Sequence, residues 1–133
     1  MTTNDDVRRI ALALPETSET EERFGFSVRN GSKQRGIVWL WNERVDPRKP
    51  KVPNPEVLAL RAANEEEKQA LLALNDPKFF TEPHYNGYPA ILVRLPLIEP
   101  DELAELIEDS WRCQAHPKLI AEWERRGRDS NPR

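Results

Sequence analysis

Cysteine, histidine and glycine are scarce in this 133-residue chain, and each scarcity excludes a class of site. The single cysteine, Cys113, rules out an intramolecular disulfide and a multi-thiolate zinc site. Two histidines, His84 and His116, are too few for a histidine-rich metal centre. The five glycines form neither G-x-x-x-x-G-K nor G-x-G-x-x-G, so the sequence has no loop of the kind that cradles phosphates.

Long hydrophobic runs are also missing. No apolar run approaches the roughly 18 residues that span a bilayer. The N-terminus, MTTNDDVRR, has acids where a signal peptide carries positive charge. We therefore expect a cytoplasmic protein without membrane association. The length suits one domain, which we assign to residues 1–127, followed by a disordered tail at 128–133.

The net charge of −3 conceals a local excess of bases. Between Arg29 and Lys51 seven bases stand against two acids, a local charge of +5 that leaves −8 for the rest of the chain. Such polarity can steer a polyanion to one side of a molecule. Ordinary charged loops and exposed helix faces would give the same pattern, so both explanations stand at this point.

The hydrophobic pattern begins with a helix and then changes to strands. Asn4 is placed to cap the first helix, and a stripe at 3.6-residue spacing forms its buried side: Val7, Ile10, Ala11 and Leu14. Pro15 ends this helix and residues 16–22 read as an acidic loop. Strand periodicity follows at 24–28 and 36–41, separated by an Asn30-Gly31 turn and a loop through Arg35. In the second strand, alternation places Ile37, Trp39 and Trp41 on one face and Val38 and Leu40 on the other.

The rest of the chain alternates between loops, strands and helices. Four prolines make residues 43–55 an extended, protruding loop rather than a continuous strand. A strand at 56–62 and a helix capped by Asn64 follow, with the helix burying Ala70, Leu71 and Leu74. Short strands begin near Phe79 and Pro89, a third helix buries Leu103, Leu106, Ile107 and Trp111, and a short last helix runs from Pro117 to about Gly127. The sequence predicts an α+β domain with a mainly antiparallel five-stranded sheet, in the order α-β3-α-β2-α plus a short C-terminal helix.

Three stretches of the chain carry a family resemblance. DVRRIALALPETSE, PKFFTEPHYNGYPAILVRL, and DELAELIEDSWR followed by HPKL resemble the MmcQ/YjbR-like family of small bacterial proteins, over about half of the chain. The resemblance implies a secretion-chaperone-like α+β fold. It also implies a "double wing" DNA-binding protein in which two projecting hairpin loops contact the duplex. The family has no established catalytic residues or cofactor, so the resemblance implies no catalytic site, no cofactor and no metal. The basic, proline-rich stretch at 29–55 looks longer than the family's usual connection.

Two basic loops are the candidate DNA contacts. One is the turn with Arg29, Lys33 and Arg35, and the other is the loop with Arg44, Arg48, Lys49 and Lys51. Lysine and arginine bind DNA by neutralising phosphates and releasing counterions. The acidic total, with a pI near 5.5, argues against a strong DNA-binding protein. We therefore expect a monomer that binds double-stranded DNA weakly and without sequence preference.

The alternative function is a protein- or peptide-binding module built around Trp39 and Trp41. These two side chains suit a packed core on a strand that is apolar on both faces, but they become a partner-binding surface if the outer face of the sheet is uncovered. They are also a candidate stacking platform for bases or a flat ligand.

An enzyme is the third and weakest hypothesis. His84 and Tyr85 lie beside Glu82 and Tyr88, and a histidine near a carboxylate can act as a general base. No nucleophile motif lies nearby, so we expect this group to close the base of the sheet around the Asn86-Gly87 turn. The acids of the third helix read as a solvated surface, and Cys113 as a packing residue.

Overall fold

The computed structural model describes residues 2–21, 23–43 and 47–130. It contains four helices, α1 (Asn4–Leu12), α2 (Glu65–Leu72), α3 (Pro100–Gln114) and α4 (Pro117–Ser130). Six strands form one sheet: β1 (Thr17–Glu19), β2 (Gly25–Asn30), β3 (Lys33–Glu43), β4 (Val52–Arg61), β5 (Phe79–Phe80) and β6 (Ala90–Arg94). Two short 3-10 helices, Pro83–Tyr85 and Leu95–Leu97, flank β6. The predicted α+β class is confirmed, with one strand more than the five expected.

The sheet is antiparallel throughout, in the spatial order β1-β2-β3-β4-β6-β5. The additional strand is β1, which lies in the segment predicted as an acidic loop. Glu19 ends this strand with its carboxylate 2.9 Å from the Arg8 guanidinium of α1, so α1 holds the edge of the sheet. Because β1 and β5 are only three and two residues long, both edges offer little backbone to another chain.

Helices cover one face of the sheet, and the main core lies between them. Strands β2 to β6 contribute residues such as Phe26, Leu58 and Val93, and α3 contributes Leu103 and Ile107, all of them nearly inaccessible to water. Trp111 of α3 is also fully buried, and its indole Nε1 donates to the Pro15 carbonyl at 3.0 Å. The predicted stripes of α1 and α3 both pack against this core.

Several local predictions need correction. Thr3, one residue before the expected Asn4, caps α1 in a reciprocal capping box with Asp6. A β-bulge in the β2–β3 pairing turns Ile37 into the helix-covered core beside Val38, instead of towards Trp39. In α2, Asn64 does cap the helix, but Leu74 is 65% exposed and the fully buried residue is Lys68.

The strands β3 and β4 extend further than predicted into both basic loops. Asn30 pairs with Lys33, so only two residues turn the β2–β3 hairpin, and Gly31 takes the positive φ of +65° that this turn needs. β4 begins at Val52 despite its prolines. Residues 52–56 have β3 on one side only, because β6 pairs with β4 from Val57 onwards, and proline is tolerated at such an edge. α4 continues to Ser130, and residues 131–133 of the predicted tail lie outside the described residues.

Candidate nucleic-acid interface

The first group of predicted DNA contacts lies on the β2–β3 hairpin. Arg29 is in β2, and Lys33 and Arg35 are in the first residues of β3, all with exposed side chains. The hairpin is fastened to the end of α3 in both directions. Asn30 Nδ2 donates to the Gln114 carbonyl at 3.0 Å, and Gln114 Nε2 donates to the Gly36 carbonyl at 3.1 Å. The basic side chains of Arg29, Lys33 and Arg35 therefore lie on a hairpin that two hydrogen bonds hold against α3.

One further cation joins this hairpin and was missed at the sequence level. Lys118, in the first turn of α4, lines a shallow surface cleft together with Arg29 and Gly31. Two carboxylates, Glu16 and Glu122, line the same cleft. The sequence places Lys118 almost 90 residues from Arg29, and only the return of the chain at α4 brings them together.

The second group lies in the connection between β3 and β4. Arg48, Lys49 and Lys51 are exposed there, between Pro47 and the start of β4. Arg44, the fourth residue predicted for this loop, lies outside the described residues. Asn54, just after the loop, accepts a hydrogen bond from the Glu56 backbone N–H at 2.9 Å and so shapes the beginning of β4.

The two groups lie at opposite ends of β3, not side by side. The ten steps from Lys33 to Glu43 correspond to at most roughly 33 Å at the usual rise of a strand, since the bulge at Ile37 shortens β3. The turn and the loop that carry the two predicted groups are therefore separated by the length of β3. The basic groups instead bracket the long central strand and the sheet face that it carries.

Charge is segregated between the sheet and the helices. The segment from Arg23 to Arg61, which contains β2, β3 and β4, has nine bases and three acids, a net charge of +6. The four helices together have thirteen acids and eight bases, a net charge of −5. The residues outside these two parts carry the remaining −4, so the basic segment is joined to helices and connections that are both acidic. The segment that carries β2, β3 and β4 is therefore the part of the chain that can attract a polyanion.

Trp39 and Trp41 lie on the sheet face that the four helices leave uncovered. They are half-buried and pack in a small cluster with Val57, Ala59 and Leu92, separate from the main core. The pair is therefore partly packed and partly exposed, and among the described residues the segment around Phe80 and Tyr85 packs against the same cluster. The Trp41 and Phe80 rings meet edge to face with centroids 5.8 Å apart.

Two arginines contact aromatic rings on this side of the sheet. The Arg94 guanidinium stacks over the Phe80 ring at 3.9 Å, and its Nη1 donates to the Pro77 carbonyl at 2.6 Å. Arg61 lies 5.5 Å from the centre of the Tyr88 ring. Arg94 of β6 lies directly opposite Val57 of β4, and Arg61 of β4 lies directly opposite Ala90 of β6. Aromatic rings edged by guanidinium groups suit contact with nucleic acid.

Tyr85 connects the segment after β5 to the open face of the sheet through a hydrogen bond with Trp39. Trp39 Nε1 donates to the Tyr85 hydroxyl at 3.2 Å. Burial, more than the nearby Glu82 carboxylate, raises the pKa of Tyr85, while the Trp39 N–H lowers it. His84 is exposed, with Nδ1 3.4 Å from Glu82 Oε2. Cys113, the only thiol of the chain, lies on α3 and burial raises its pKa, so it offers no activated nucleophile to this group.

A buried lysine of α2 binds the backbone of the turn that contains Tyr85 and Tyr88. Lys68 of α2 is fully buried, and its Nζ donates to the backbone carbonyls of Tyr85 and of Tyr88, the latter at 3.0 Å. The turn that carries both tyrosines is thereby tied to α2. No sequence signal singled out Lys68, because the carbonyls that it binds belong to a turn 17 and 20 residues away.

Within residues 2–21, 23–43 and 47–130, no helix has the length and apolar character that crossing a membrane requires.

Comparison with known proteins gives one family. The YjbR family model matches residues 12–113. Uncharacterized protein Mb2600 of Mycobacterium bovis and uncharacterized protein Rv2570 of Mycobacterium tuberculosis are each 36% identical to this chain over 124 residues, which cover 90% of this chain and 94% of theirs. The crystal structure of Deinococcus radiodurans protein DR2400, with a DUF419 domain, has the same fold at a TM-score of 0.60 and 23% identity, covering 96% of this chain and 82% of that one. The chain belongs to the YjbR family, as the resemblance of its three sequence stretches predicted.

Proposed function

We propose that this protein binds double-stranded DNA through the two basic ends of β3 and catalyses no reaction on it. The observation that supports this proposal best is the spacing of those ends. They lie at most roughly 33 Å apart along the strand, and one turn of B-DNA rises about 34–36 Å. The two groups can therefore meet phosphates about one helical turn apart on the same side of a duplex.

The segregation of charge supports the same surface. Strand segment 23–61 carries a net +6 although the whole chain is acidic. Attraction to phosphate is felt over about one Debye length, near 10 Å at 0.1 M salt, so the acidic helices on the other face weaken it only in part. Exposed lysine and arginine side chains neutralise phosphates without reading base edges. Binding is therefore non-specific and strongly dependent on salt.

The test compares charge reversals at each end. Lys33→Glu with Arg35→Glu removes one end, and Lys49→Glu with Lys51→Glu removes the other. Each pair removes two phosphate contacts at most, so the plot of log K against log salt should become less steep by about 1.8 in each variant. The matched control is Arg9→Glu with Arg125→Glu, an equal charge change at exposed positions of α1 and α4. The control should retain the wild-type slope.

The assay is fluorescence anisotropy with a random duplex, titrated between about 50 and 200 mM salt. Circular dichroism of each variant confirms folding, since the reversed residues are exposed. An equal loss of affinity in the control and in the two end variants would mean that total charge, not the ends of β3, attracts DNA. No effect of either end variant would refute the proposed contacts.

A protein- or peptide-binding role is the second candidate, and the half-buried position of Trp39 and Trp41, on the sheet face away from the helices, supports it. The short edge strands β1 and β5 offer few backbone groups for strand addition. A peptide would therefore lie across the open face. Apolar binding of this kind should change little between 50 and 200 mM salt, which separates it from phosphate binding in the same titration.

A further inference from the structure

The open face has a cleft between the two basic ends, with a cavity volume of about 290 Å³. Its lining includes Gly25, Gly36 and Trp39, together with five polar residues: Thr20, Arg23, Ser27, Asn42 and Tyr88. We call it the Trp39 cleft. It lies on β2 and β3, beside the aromatic cluster and separate from the exposed loops at 30–33 and 47–51.

Two glycines keep the cleft open. Neither Gly25 nor Gly36 has a positive φ, so the backbone conformation itself would accept a side chain at either position. A Cβ at Gly36 would lie 3.7 Å from Cζ3 of the Trp39 ring, and one at Gly25 would lie 3.4 Å from the Trp39 Cβ. Glycine inside a strand costs stability and marks a place where something else approaches the backbone closely. Here the Trp39 side chain fills part of the space above Gly25 and Gly36, and the cleft is the part that stays empty.

The groups around the cleft match the parts of one nucleotide. Trp39 supplies an aromatic surface for a base. The Asn42 amide has the donor and acceptor that pair with a base edge, and the exposed Arg23 guanidinium is a partner for a phosphate. No carboxylate is among the described residues that line the cleft. The cleft is therefore polar, positive and aromatic on one side.

We propose that the Trp39 cleft binds a single unpaired nucleotide, with its base against Trp39 and its phosphate at Arg23. The proposal rests on the proposed function, since the nucleotide belongs to a strand held by the basic ends of β3. A fully paired duplex keeps its bases stacked inside and cannot fill the cleft. The protein should accordingly prefer DNA that contains an extrahelical base.

The experiment compares three 14-base-pair duplexes in anisotropy titrations at one salt concentration. The first is fully paired, the second has one bulged adenosine, and the third has an abasic site in the bulge, with the same charge and no base. We expect the bulged adenosine to bind about tenfold tighter than the paired duplex, since one stacked base contributes at least that order of affinity. The abasic bulge should bind like the paired duplex. Equal affinities for all three would overturn the cleft while leaving the duplex contacts intact.

Variants assign the preference to the cleft. Gly36→Val fills its floor, and Ala121→Val is the control, because Ala121 is exposed on α4 and does not line the cleft. Arg23→Gln tests the phosphate contact at an exposed position, so it leaves a usable protein if Gly36→Val does not fold. Its control is Arg125→Gln on α4. Gly36→Val and Arg23→Gln should reduce the tenfold preference towards onefold, and both controls should keep it. A preference that survives in the folded cleft variants would place the base elsewhere.

A direct readout is independent of duplex binding. Deoxyadenosine monophosphate should shift the Trp39 indole N–H resonance, assigned by its loss in Trp39→Phe, whereas deoxyribose 5-phosphate should not. If the paired duplex fails to bind but deoxyadenosine monophosphate shifts this resonance, the proposed function is wrong and the nucleotide site stands. If neither the mononucleotide nor the bulge has an effect, the nucleotide site is wrong.

Discussion

Replacing Lys68 by methionine tests how the turn with Tyr85 and Tyr88 is held over the open face. Methionine keeps an unbranched apolar stem and removes the ammonium group. The substitution deletes two bonds from a charged donor to carbonyls, each worth about 1.5–3 kcal/mol. Each carbonyl keeps one backbone donor, because Tyr88 N–H bonds to the Tyr85 carbonyl at 3.0 Å and Ala90 N–H to the Tyr88 carbonyl at 2.8 Å. Removing the buried ammonium also relieves its cost of desolvation.

The net loss that we expect for Lys68→Met is about 2 kcal/mol in the free energy of unfolding. A chain of this length has an unfolding entropy near 0.28 kcal/mol/K, so the melting temperature should fall by about 7 °C. Gln69→Met, at the exposed neighbouring position of α2, is the control and should change the melting temperature little. The Trp39 indole N–H resonance should also shift, since the loosened turn carries its hydroxyl partner. If Lys68→Met melted at or above the wild-type temperature, the bonds to the turn would not be the reason for burying this lysine.

Two further predictions concern the helices. Burial, followed by the neighbouring carboxylates of Glu108 and Glu67, raises the pKa of Asp109 above its ordinary 3.8. Its charged form therefore lowers the stability of the fold at pH values above the raised pKa, and this loss of stability disappears below about pH 3.8. Asp109→Asn should therefore raise the melting temperature at pH 7 and leave it unchanged near pH 3; a lower melting temperature at pH 7 would contradict this reading of its surroundings. Thr3→Ala removes the side-chain cap of α1 and should cost about 1 kcal/mol in urea unfolding at pH 7. An unchanged unfolding midpoint at pH 7 would show that the capping box contributes nothing.

The elements with strong local signals could be predicted from the sequence. The stripes of α1 and α3, the Asn30-Gly31 turn and the Asn64 cap all depend on residues close together in the chain. The same local rules failed at Ile37, because a single β-bulge shifts the alternation of inward and outward side chains along β3. No residue type in β3 indicates this bulge in the sequence. They failed in α2 because the partners of Lys68 come from a turn that tertiary packing brings to the helix.

The residues of the candidate interface were predictable, but their arrangement was not. The lysine and arginine residues between 29 and 51 form a local excess of positive charge that is visible in the sequence. Their placement at opposite ends of one strand depends on the length of β3, which extends through the predicted loops because Lys33 pairs with Asn30 and Glu43 pairs with Val52. The half-burial of Trp39 and Trp41 depends on which face the helices cover, and the spacing of apolar residues in one strand does not reveal that. Gly25 and Gly36 gave no signal because a glycine in a strand is informative only when its neighbours in space are known.

The most direct test of binding through both ends of β3 is the salt dependence of affinity on two lengths of DNA. Hairpin-closed stems of 6 and 14 base pairs span about 20 and 48 Å, so only the longer stem can reach both ends at once. The Lys49→Glu, Lys51→Glu variant, which keeps one basic end, corrects for the effect of length itself. We predict that wild type and variant have equal salt slopes on the short stem, and that the wild-type slope is steeper by about 1.8 on the long stem. Equal slopes for both proteins on both stems, or no binding at about 50 mM salt, would contradict the account.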